Sequence, residues 1–195
     1  MLTAKEVKAQ ARAKLAQREQ ARRNPDVFVA YTRGYQQGQF HRRIQAHLTA
    51  HEKAYCELPR GHGKTEQAAA RMAWEIGRNP AIRIKYIAQT DEYATKTTDL
   101  VKRIIESPAY SRVFPAVRPD PTLWGKQAMR VLSPALTRDA TLEASGIFGH
   151  AGGRWDLLIG DDVCDLQNSI QKPALRLPAV PPMLEQTVCR QAPQL

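Results

Sequence analysis

A lysine and a threonine set behind two glycines, and two adjacent aspartates much further along, are the residues of this chain best suited to chemistry. The first group is Leu58-Pro59-Arg60-Gly61-His62-Gly63-Lys64-Thr65. It follows the short apolar run Ala54-Tyr55-Cys56-Glu57-Leu58, read as a strand, and opens the helix-forming run Thr65-Glu66-Gln67-Ala68-Ala69-Ala70-Arg71-Met72. Strand, glycine-rich loop and helix start are the setting in which a loop cradles phosphates. Backbone N–H groups at the helix start face the anion, and the helix dipole adds partial positive charge. Lys64 would reach the β and γ phosphates of a nucleotide, and the Thr65 hydroxyl would hold Mg²⁺. Leu58 stands where the usual pattern has its first glycine; Gly61 still permits a tight turn. The alternative is a glycine-rich turn that caps an ordinary helix.

The second group is Leu157-Leu158-Ile159-Gly160-Asp161-Asp162, an apolar strand ending in two carboxylates. Carboxylate oxygen is a hard ligand suited to Mg²⁺. Asp161 would bind the metal and Asp162 would polarise an attacking water. Taken alone, the pair reads equally well as a turn after a strand. The interval from Lys64 leaves room for at least one strand–helix unit between the motifs.

The elements that must position these groups can be read along the chain. Residues 2–23 form a basic helix with a thin apolar face (Val7, Ala11, Leu15), either solvated or a DNA or partner contact. Phe40–Leu48 is a helix ahead of the loop, and the helix after the loop runs to about Arg78 and stops at Asn79-Pro80. Ile82–Ala88 is a strand, and Thr90 or Asp91 caps a helix carrying Leu100, Val101, Ile104 and Ile105. Tyr110–Trp124 is proline-punctuated and reads as irregular. Ala128–Leu132, Ala140–Ala144 and Trp155–Gly160 are strands. This alternation implies an α/β fold, a mainly parallel sheet with helices on both faces. Residues 173–195 carry five prolines and no clean periodicity, so the chain reads as cut short.

At 195 residues a single domain is the default. The formal charge of +10 favours a polyanion, nucleic acid first. Three scattered cysteines without metal-ligand spacing suggest a reducing, intracellular setting, with Cys56 and Cys164 as small buried hydrophobes. Without a signal pattern or a long apolar span, the expectation is a soluble chain that is not exported and has no membrane partner.

Arg60–Glu66 taken with Gly152–Val163 resembles the ATPase domain of phage terminase large subunits, the motors that package viral DNA into empty capsids. Arg60, four residues before the loop lysine, is typical of that family, and Thr141–Ile147 is similar too. The resemblance covers roughly residues 35–170. It implies a P-loop NTPase of the RecA-like, ASCE type, incomplete at its C-terminus. The division is a basic helix at 1–27, the ATPase domain at 28–170 and a proline-rich tail at 171–195.

The resemblance also implies roles. Arg60, Gly61, His62, Gly63, Lys64, Thr65 and Glu66 would bind ATP, and Thr65 and Asp161 would bind Mg²⁺. Lys64, Arg60 and Asp162 would be catalytic, with Asp162 where many relatives have glutamate. Arg154 is either an arginine finger toward a neighbouring subunit's ATP or a surface arginine. Phe40 and His41, with Gln45 one turn later, lie where the family contacts adenine, or else belong to a core helix. The implied partners are double-stranded DNA, a portal, a small terminase subunit and a homo-oligomeric ring, in the bacterial host cytoplasm. Neither the family's coupling motif nor its nuclease carboxylates are recognisable, so DNA cleavage is not expected and sustained turnover is open. The other readings are a remnant that binds nucleotide without turnover and a helicase-like nucleic-acid-dependent ATPase.

Overall fold

The computed structural model describes residues 3–34, 36–59, 61–134, 138–149 and 153–163. Thr3 opens the first helix, α1 (Ala4–Arg23), with a capping box: its hydroxyl oxygen accepts from the Glu6 amide and the Glu6 carboxylate accepts from the Thr3 amide. Asn24 closes α1, and its side chain caps α2 (Pro25–Arg33), whose first-turn proline has no N–H to satisfy. Next come α3 (Gln39–Ala50), α4 (Lys64–Arg78), β1 (Ile84–Ala88) and α5 (Asp91–Glu106), the last capped by Thr90. Then follow α6 (Pro108–Val113), β2 (Pro119–Trp124), β3 (Ala128–Val131), β4 (Leu142–Gly146) and β5 (Leu157–Asp161).

The strands form one sheet in the order β2-β3-β4-β1-β5. β1 runs parallel to both β4 and β5, whereas the β2–β3 and β3–β4 pairs are antiparallel. The expected mainly parallel sheet is therefore a mixed one. The physical reason is the connection after β2: only three residues, 125–127, separate it from β3, too few for a parallel crossover. The proline-punctuated stretch is also more ordered than expected. Ser107 caps α6 with Pro108 in its first turn, and Pro119 and Pro121 lie in an edge strand, where a missing ladder N–H costs least.

The main core lies on the sheet face that carries Ile84, Tyr86 and Ala88. There Trp74 and Met72 of α4, Val101 and Ile105 of α5, Phe28 of α2 and Tyr110 of α6 are buried together. Buried polar ends are met: Trp74 Nε1 donates to the Ala21 carbonyl at 3.0 Å and the Tyr110 hydroxyl to the Ala73 carbonyl at 3.0 Å. The other face holds a small cluster of Ile87, Ile147 and Val163 with Leu158, to which no described helix contributes. The expected second helical layer is thus not found among the described residues.

The Ala54–Leu58 run is another correction. It lies outside the five strands of the described sheet and is not a strand. β5 is the adjacent sheet edge, and Leu157, Leu158 and Ile159 are only half-buried there. Among the described residues no helix is long and apolar enough to cross a membrane. The 171–195 tail and Cys164 lie outside the described residues.

Candidate functional site

Parallel pairing brings the C-terminal ends of three strands level: Ala88 is in register with Gly146 on one side and with Asp161 on the other. At the opposite end of β1 and β5, the Arg83 amide and guanidinium all donate to Asp156, with a shortest distance of 2.7 Å. These hydrogen bonds hold the Asp156 carboxyl below its ordinary pKa and pin the acidic strand to its neighbour.

The glycine-rich loop delivers α4 to this same edge. Gly61 and Gly63 have φ of +79° and +69°, the left-handed region in which glycine is unstrained. Gly63 is the N-cap of α4, and no side chain caps the first turn, so its amides are not consumed by a side-chain acceptor. Lys64 Nζ donates to the Leu58 carbonyl at 2.9 Å and lies 3.2 Å from Asp162 Oδ1. The Thr65 hydroxyl donates to Asp161 Oδ2 at 2.6 Å across 96 positions of sequence. Asp162 has φ of 47°, the one positive value on a non-glycine residue among those described, in a region that aspartate tolerates better than most.

Sequence reading missed one member of the site. The Tyr86 hydroxyl of β1 donates to the same Asp161 Oδ2 at 3.0 Å and lies 3.1 Å from Thr97 Oγ1 of α5. Burial, then the Asp161 charge, push this phenol far above its ordinary pKa, so it carries its proton throughout the working range. The signal was the register: Tyr86 is level with Ile159, two residues before Asp161, which becomes visible only once β1 and β5 are paired.

Two cavities flank the loop. One, of about 710 Å³, is lined by Cys56 and Leu58, by β5 and by Lys64, Asp161 and Asp162. Cys56 is a half-buried free thiol in its wall, raised in pKa by burial, rather than the fully buried residue expected. The other, of about 660 Å³, is lined by Phe40, His41, Gly61, His62 and Gly63. Phe40 meets the His62 ring edge-on at 5.7 Å, and His41 Nε2 lies 3.2 Å from the His62 carbonyl. Phe40 and His41 therefore sit beside the loop, but Gln45 does not. It is fully buried, donates to the Gln67 side chain at 2.9 Å, and belongs to the core.

Glu66 also lines the second cavity, and its carboxylate pairs with Arg33 of α2 at 2.8 Å. Arg154 is exposed and makes no ion pair among the described residues. Arg60 lies outside the described residues.

Thr65 and Asp161 supply two hard oxygens side by side. Mg²⁺ uses one or two protein ligands and completes its octahedron with water and phosphate oxygens. The pair fits that ion, and among the described residues no group of three or more His, Cys, Asp or Glu offers a denser protein cage. No protein-family model matches this chain, and no curated protein matches it.

Proposed function

We propose that this chain binds ATP with Mg²⁺ and hydrolyses it as the ATPase module of a viral DNA-packaging motor of the terminase large-subunit type. The observation that supports this most is the 2.6 Å hydrogen bond from Thr65 to Asp161, which joins the loop motif to the acidic strand. With Lys64 and Asp162 beside it, a cation, a metal-binding pair and a water-orienting carboxylate converge at one sheet edge. Bound Mg²⁺ supplies charge neutralisation of the phosphates. Lys64 binds the phosphates, Asp161 and Thr65 hold the metal, and Asp162 orients the attacking water. The cavity at Phe40, His41 and His62 takes the base. The net charge of +10 suits contact with the backbone of double-stranded DNA.

The test is phosphate release from Mg·ATP by the full chain and by Lys64→Ala. Wild type is expected to turn over, and the variant to lose about two orders of magnitude or more, the loss typical of removing a transition-state donor. Release that ignores Lys64 would sink the reading. A second reading, nucleotide binding without turnover, is favoured by residues 54–58, which precede the loop without forming a strand of the described sheet. Fluorescent-nucleotide binding without phosphate release would select it.

A further inference from the structure

Asp161 is gripped from two directions at a single oxygen. Thr65 donates to Oδ2 from the loop side at 2.6 Å and Tyr86 from the sheet side at 3.0 Å, while no described hydrogen bond reaches Oδ1. The Tyr86 side chain has no freedom to leave. It is 1 % exposed, its ring lies in the main core, and its hydroxyl is flanked by Thr97, which in turn bonds the Tyr93 carbonyl. The start of α5, which carries Thr97, is fixed as well: the Gly146 amide donates to Asp91 Oδ1 at 2.7 Å, and a Cβ on Gly146 would lie 2.7 Å from the Asp91 nitrogen.

We propose that Tyr86 is a positioning residue for the metal site, holding Asp161 Oδ2 so that Oδ1 is kept for Mg²⁺ or a water on it. The inference rests on the nucleotide reading above. Partners that orient a metal-binding carboxylate lower the cost of assembling the site, and losing one typically weakens metal affinity about tenfold or more.

The experiment measures the affinity of the full chain for a fluorescent ATP analogue, in EDTA and across a Mg²⁺ titration, for wild type and Tyr86→Phe. The half-saturating Mg²⁺ concentration is expected to rise about tenfold in the variant, with affinity in EDTA unchanged. A purely structural role would weaken both conditions alike, and that result overturns the proposal. So does an unshifted Mg²⁺ midpoint, which leaves the nucleotide reading standing. Wild type that binds no nucleotide at any Mg²⁺ concentration overturns both. Thr97→Val, which removes the hydroxyl whose one proton is shared between the Tyr93 carbonyl and the Tyr86 oxygen and so aims the Tyr86 proton at Asp161, carries the test if Tyr86→Phe does not fold. It is expected to shift the Mg²⁺ midpoint in the same direction by about two- to threefold, the scale of one neutral hydrogen bond, and an unshifted midpoint counts against the proposal.

Discussion

Lys64 already has partners, the Leu58 carbonyl and the Asp162 carboxylate, so a phosphate must compete for it. Asp162 is 63 % exposed, which keeps that pair weak. Asp162→Asn is therefore expected to bind nucleotide slightly more tightly, by about two- to fivefold, while losing phosphate release. Equilibrium binding and phosphate assays on the same preparation check both halves. Looser binding would contradict the competition. Residue types and spacing singled out Lys64, Thr65, Asp161 and Asp162, which the fold brings together, because loop glycines and strand-end acids are local signals. Tyr86 was hidden because its role depends on which strand lies beside β5, and Gln45 misled because a polar residue on a helix gives no sign of being buried against Gln67.

At the scale of elements, strands and helices were legible wherever apolar periodicity or caps marked them: α4, α5, β1 and β5 fall close to their expected spans. What failed was pairing. The β2–β3 hairpin was unreadable because two prolines masked an edge strand. Asp120 stabilises that hairpin. The hydroxyl and amide of Thr122, then Arg130, lower its carboxyl from 3.8 to about 2. A depressed folded-state value means that this contribution is complete above about pH 4 and disappears as the pH falls through about 2. The melting-temperature gap between wild type and Asp120→Asn should be widest at neutral pH and close on acidification over that window. A second element-scale prediction concerns α4. A Cβ on Gly77 would lie 2.3 Å from the Phe114 ring, which is packed against Phe28 and Tyr110 and has nowhere to move. Gly77→Ala is expected to destabilise the chain by about 1–2 kcal/mol despite its better helix propensity, read as a melting temperature several degrees lower.

For the whole molecule, charge and shape separate into two parts. Residues 3–17 are all exposed, and α1 is anchored only toward its end, where Ala21 is buried. Lys5, Lys8, Arg12 and Lys14 lie on this projecting stretch without ion pairs among the described residues, whereas Glu6 is engaged in the cap. If the proposed DNA contact includes this helix, replacing those four with glutamine should flatten the slope of log affinity against log salt by about 3–4 for duplex DNA. Nucleotide affinity should not change, since residues 5–14 are all exposed and α1 packs on α2, α4 and α6. An unaltered slope would assign the DNA contact elsewhere. The projecting helix also has a consequence for protease sensitivity. Helical turns without tertiary contacts open at little free-energy cost, and these turns are studded with lysine and arginine. A brief trypsin digestion should therefore clip the chain after Arg12 or Lys14 and stop ahead of the turn where Trp74 holds the Ala21 carbonyl, leaving a body trimmed of the exposed turns.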